Sequence, residues 1–134
     1  EVSVPHLADQ DVEFPLGDRT VRAEVTYGSH CWTKARGEGH ACPGPEIIDE
    51  LGDLRVFCAE RYRQSRQLPA MFRKLLSNRV YETGKFDNLG VYVASSTQPT
   101  AYTAFFSLRT SRKTPGQDSV RIEVRSAYVK CRPL

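Results

Sequence analysis

Alternation of apolar and polar side chains is clearest near the start of the chain. Val21, Ala23, Val25 and Tyr27 alternate with Arg22, Glu24 and Thr26. A period of two predicts a strand with one buried face. Gly17-Asp18 supplies a turn before it, so residues 12–27 read as a β-hairpin. Residues 1–11 show no period and read as a lead-in. Residues 34–53 are broken by Gly37, Gly39, Pro43, Gly44, Pro45 and Gly52, which predicts a long loop. Within it, Pro45–Leu51 fits a short turn of helix with Pro45 at the first position.

The period then changes. Arg55–Cys58 fits a short strand. From Ala59 to Ser77 the spacing is helical: Leu68, Met71, Phe72, Leu75 and Leu76 fall on one face. Pro69 suits a first helical turn and divides this helix from a shorter one before it. Arg73 and Lys74 suit the negative end of the helix, and Asn78 suits a left-handed cap. Three further strands follow. Leu89–Ala94 is the first. Tyr102–Arg109 puts Tyr102, Ala104, Phe106 and Leu108 on one face. Ser119–Lys130 puts Val120, Ile122, Val124, Ser126 and Tyr128 on one face, with Arg121, Glu123 and Arg125 opposite. The expected fold is α+β in a single domain, residues 1–134. An N-terminal hairpin, one or two helices and a three-stranded antiparallel meander make one sheet packed on the helices.

Charge changes this picture more than composition does. Apolar residues make up 40% of the 134, enough for one core, and the charged 26% is ordinary. The net charge of +3 conceals a division. Residues 1–53 hold eleven acids against four bases, and residues 54–134 hold fifteen bases against five acids. The basic part implies an anionic partner, RNA or an acidic protein, unless the acidic part covers it in the fold. No apolar run approaches the roughly 20 residues that span a bilayer, so no membrane is expected. Four cysteines permit two disulfides, but at this length a core needs none, and reduced thiols in a cytoplasm are the expectation.

Candidate chemistry collects at a few places. His30 stands where the alternating strand enters the long loop, a position suited to a general acid or base. His30, Cys31, His40 and Cys42 together have zinc-ligand chemistry, but adjacent strand residues point to opposite faces. A Cys31–Cys42 disulfide and independent roles are the alternatives. Residues 55–79 carry seven bases against Glu60 alone: Arg55, Arg61, Arg63, Arg66, Arg73, Lys74 and Arg79. Guanidinium forks match phosphate, and Tyr62 among them can stack on a base. The alternative is a solvated helix face. Ser126 and Tyr128, at the end of an apolar strand face, need a partner or a cleft. No nucleophile elbow, phosphate-cradling loop or H-E-x-x-H is present.

The segments N88-LGVYVAS, AYTAFFSLRT and SVRIEVRSAYVK, following a basic helix, resemble the layout of the barnase–colicin–RelE-type ribonuclease toxins over residues 55–130. The N-terminal hairpin and the His30-Cys31-Trp32 segment lie outside the simplest version of that fold. The whole chain also resembles small bacterial proteins that carry HCWT…RYxxSxxLP…SAYV. The toxin resemblance implies an endoribonuclease without a cofactor, in which the ribose 2′-hydroxyl attacks the adjacent phosphate. It implies His30 as base or acid, Arg61, Arg63 or Arg66 as phosphate clamp, and Ser126 and Tyr128 as positioning groups. Arg73, Lys74 and His40 would add RNA contacts, and an antitoxin-like partner would fit. A non-enzymatic binding module and a small structural zinc protein are the rival expectations.

Overall fold

The computed structural model describes residues 3–35, 45–75, 80–82, 89–93, 100–111 and 119–131. Strands β1 (Gln10–Leu16) and β2 (Arg19–His30) form the expected hairpin. Its turn places Leu16 opposite Arg19, and Gly17 takes a left-handed φ of 64°, which a residue without Cβ adopts without strain. Three short strands follow: β3 (Thr33–Ala35), β4 (Glu46–Ile48) and β5 (Leu54–Phe57). Helix α1 (Ala59–Gln64) runs through a 3-10 turn (Ser65–Gln67) into α2 (Leu68–Arg73). Strands β6 (Val80–Glu82), β7 (Leu89–Val93), β8 (Thr100–Ser111) and β9 (Ser119–Cys131) complete the described elements.

The architecture is α+β. Six strands make the main sheet in the order β1-β2-β9-β8-β7-β6. Every neighbouring pair is antiparallel except β2 and β9, the second and third strands, which run parallel. Strands β3, β5 and β4 form a separate antiparallel sheet. That second sheet corrects the single-sheet expectation, and β4 replaces the expected helical turn at Pro45–Leu51. The reason is pairing: Ile47 and Ile48 sit opposite Arg55 and Leu54, an alternative that Pro45 alone does not reveal. His40, Cys42, Asn78 and Arg79 lie outside the described residues.

The helical segment breaks as its proline predicts. Pro69 lies in the first turn of α2, where its missing N–H is not needed. Leu68, Met71, Phe72 and Leu75 are buried on one face of the sheet against Val25, Ala104, Phe106, Ile122 and Val124. Gln10 ties this layer together: its amide donates to the Pro69 carbonyl at 3.0 Å, and its carbonyl accepts from the Tyr27 hydroxyl at 2.6 Å. Among the described residues no helix is long and apolar enough to cross a membrane.

The lead-in is stapled to the helices. Leu7 is in the core, and the Tyr62 hydroxyl donates to the Ser3 carbonyl at 2.8 Å. Buried Ser65 donates its proton to the Tyr62 carbonyl at 2.5 Å, so its oxygen accepts from His6 Nε2–H at 2.7 Å. Partial burial and then the Arg66 charge hold the His6 pKa below its ordinary 6.5. The folded state therefore prefers neutral His6. This contribution is complete above pH 6.5 and is lost as pH falls through the lower folded value. Urea midpoints at pH 8 and pH 5 should fall further for the wild type than for His6→Gln, which keeps a donor to Ser65 but no titration.

Candidate functional site

The face of β2 and β9 opposite the helices carries the candidate site. Two register shifts meet there. Tyr27 sits opposite Val124, but His30 sits opposite Ser126, so β2 spends three residues where β9 spends two. On the other side of β9, Phe106 pairs with Val124 and Phe105 with Ser126, so Arg125 is an extra residue. Phe105 and Phe106 are adjacent and point to opposite faces, and so do their partners Ser126 and Val124. Ser126 and Tyr128 therefore leave the face of Val120, Ile122 and Val124, which corrects the expectation, and fully buried Ala127 takes their place in the core. Tyr128 instead stacks on Phe105 at 5.5 Å. The same change brings Ser126 beside His30 on the open face.

A pocket of about 490 Å³ opens at this level, lined by Thr26, Gly28, His30, Glu50, Leu51, Glu123 and Arg125 among others. Its volume falls in the range of small-molecule sites. Gly28 leaves the floor bare. The wall comes from the β4–β5 turn, and its geometry explains the site. Asp49 N–H donates to the Asp53 carbonyl and Gly52 N–H to the Asp49 carbonyl. Gly52 turns the chain at a left-handed φ of 85°. Asp49 Oδ1 accepts the N–H groups of Leu51 at 3.0 Å and Asp53 at 2.8 Å, an Asx-type turn. Its other oxygen, Oδ2, lies 2.8 Å from His30 Nε2.

One carboxylate thus shapes the turn and orients the imidazole. Asp49 is fully buried at its side chain, and that of His30 is 33% exposed. The His30 hydrogen bond, with those of Asp53 and Leu51, holds the Asp49 carboxyl below its ordinary value against the opposing effect of burial. An ionised Asp49 accepts only, so Nε2 carries the proton and Nδ1 is the nitrogen left for a ligand. Glu50, the next residue, receives the Ser29 N–H at 2.8 Å and the Ser29 hydroxyl at 3.0 Å. Partial burial pushes its pKa up, but the Ser29 donors and His30 pull it further down, so Glu50 is ionised at neutral pH.

His30, Asp49 and Glu50 also have metal-ligand chemistry, and one potential ligand atom of each lies within 4.8 Å of the others. Two ligands on one zinc ion are at most about 4.4 Å apart, twice the metal–ligand bond. As arranged, both Asp49 oxygens are engaged, Oδ2 with His30 and Oδ1 with the turn, while Glu50 is held by Ser29. Of the expected tetrad, His40 and Cys42 lie outside the described residues. Cys31 and Cys58 are buried free thiols, and burial pushes Cys31 up to about 12. Cys31 sits in the core while His30 lines the pocket.

Arg61 is the largest correction. It is buried rather than presented to a phosphate. Its guanidinium donates to the Thr33 carbonyl at 2.7 Å and lies 4.8 Å from the centre of the Tyr128 ring. Arg55 donates to the same carbonyl at 3.0 Å, so two arginines lock β3 to β5 and α1. Arg61→Ala should cost about 2–4 kcal/mol, from one charged hydrogen bond and a desolvated cation–π contact. Exposed Arg63→Ala should stay within about 0.5 kcal/mol. Thermal unfolding of the two variants distinguishes a structural arginine from a ligand contact. Arg63, Arg66, Arg73 and Lys74 are exposed, with Arg66 over the Tyr62 ring at 5.7 Å. They do not converge on His30: α2 packs on the core face, and Arg125 is the cation at the pocket.

Sequence reasoning missed Asp49 and Glu50, because it assigned them to a loop. The run Asp49-Glu50-Leu51-Gly52-Asp53 contains the Asx-turn and glycine signal that marks them. Neither a curated protein nor a solved structure matches the chain. A family model does match, over residues 1–134, and the chain belongs to the YjaZ family.

Proposed function

We propose that the pocket performs general acid–base chemistry on an RNA phosphodiester, using this chain's own side chains. The observation that carries the reading is a pair of proton-transfer groups facing one open pocket. His30 is oriented by a buried carboxylate, and Glu50 is anchored by both donors of Ser29. Ionised Glu50 takes the ribose 2′-hydroxyl proton. The 2′-oxygen then bonds to phosphorus, the 5′-oxygen leaves, and the Nδ1–H of the imidazolium form of His30 supplies its proton while Nε2–H stays on Asp49. Arg125 and charged His30 balance the phosphorane charge. The products are a 2′,3′-cyclic phosphate and a 5′-hydroxyl. Arg125 at the pocket, with Arg63 and Arg66 exposed elsewhere on the surface, supports an anionic polymer such as RNA, because guanidinium forks hold phosphates.

EDTA-treated protein incubated with mixed RNA should generate 2′,3′-cyclic phosphate ends. Glu50→Gln should lower that rate by about 10²- to 10⁴-fold while the protein stays folded. RNA bound in a salt-sensitive manner but not cleaved, even at high protein concentration, would replace this reading with that of a binding module.

A further inference from the structure

The open face of the main sheet pairs its charges until it reaches the pocket. Toward β1, Arg22 meets Asp11 at 2.9 Å and Arg121 meets Glu24 at 3.7 Å. Glu123 and Arg125 line the pocket, and among the described residues neither has an ion pair, with the other or with any third group. The strand registers explain both. Glu123 sits opposite Thr26 on β2 and Ser107 on β8, so its neighbours across the strands are hydroxyls. The Ser107 hydroxyl is itself buried without a hydrogen-bond partner. Arg125 is the extra residue of the bulge and has no partner in either register, which turns it away from the ladder of charges. Glu50, the other carboxylate of the lining, takes its hydrogen bonds from Ser29 and not from a cation.

We infer that the pocket binds a small zwitterion, its ammonium toward Glu123 and Glu50, its carboxylate on Arg125 and a short apolar spacer over Gly28 against Leu51. A simple anion would face two carboxylates, and a simple cation would face a guanidinium. A ligand that carries both charges complements the whole lining. Strand positions 123 and 125 are about 6–7 Å apart, so the ligand's charges are separated by several atoms. The spacer has room. A Cβ at Gly28 would touch nothing closer than the carbonyl oxygens of Val124 and Arg125 at 3.5 Å, so packing does not require glycine there. Its bare backbone instead suits the close approach of a ligand. This goes beyond the acid–base reading of the pocket and does not rest on it.

Titration calorimetry at low salt with 6-aminohexanoate, hexanoate and hexylamine separates the two charges. Wild-type protein should bind 6-aminohexanoate about tenfold more tightly than either single-charge analogue, the value of one charge-assisted hydrogen bond at a half-exposed site. Arg125→Met should bind 6-aminohexanoate and hexylamine equally. Glu123→Gln should lose most of the advantage of 6-aminohexanoate over hexanoate. Both variants should melt with the wild type, because neither side chain holds another residue in place. Hexanoate or hexylamine binding as tightly as 6-aminohexanoate would overturn the inference. So would no binding at millimolar ligand, or a preference for the zwitterion that both variants retain. RNA enters none of these measurements, so the presence or absence of RNA cleavage leaves their outcome untouched.

Discussion

Asp49→Asn should remove RNA cleavage by about 10²- to 10⁴-fold while the protein stays folded. The substitution keeps a carbonyl oxygen that accepts the Leu51 and Asp53 N–H groups, so the turn survives. It loses the charge that holds His30 Nε2 in its protonated form. An amide nitrogen facing Nε2 would donate, force the proton onto Nδ1 of the neutral ring, and cease to stabilise the imidazolium. Asp49→Ala removes both functions, so it should lower the melting temperature as well as the rate. Because Asp49 touches His30 and not the substrate, its effect should appear in kcat and in the pH profile rather than in KM. The acidic limb of the wild-type profile, set by the Glu50 carboxyl below its ordinary value, should stay in place in Asp49→Asn, and the alkaline limb should move. A profile unchanged in shape, with activity intact, would remove the dyad from the mechanism.

What the sequence made legible is local. Gly17-Asp18 located the hairpin turn, Pro69 located the helix break, and the alternation of Tyr102, Ala104 and Phe106 located the core face of β8. Each depends on near neighbours in the chain. The failures depend on distant ones. A two-residue period cannot show that Arg125 is an extra residue, since the bulge exists only relative to β8. Nothing around Arg61 distinguishes it from exposed Arg63, because the carbonyl that captures it belongs to Thr33. His30 was recognisable as a strand-end histidine, but its activating carboxylate lies 19 residues away across another turn. The site is readable from single residues and assembled only by pairing between strands.

Phe72→Ala should give the largest loss of stability, about 3–5 kcal/mol. Phe72 is fully buried and meets Phe106 edge-on at 5.3 Å and Tyr27 at 6.3 Å. It is the point at which α2 closes on the sheet, so truncation leaves a cavity between layers that paired backbone cannot collapse to fill. A domain of this size has about 5–15 kcal/mol in all, so a fifth or more is at stake. Phe72→Leu keeps most of the volume and loses mainly the two aromatic contacts, so it should cost about 1–3 kcal/mol. Urea unfolding of both variants gives the comparison. Tyr27 meets Phe72 and also lines the pocket, whereas His30 and Glu50 are held by Asp49 and Ser29. The folded fraction of Phe72→Leu should therefore keep the full rate of the proposed cleavage, whereas loss of rate without loss of fold would show that α2 holds the β4–β5 turn through β2.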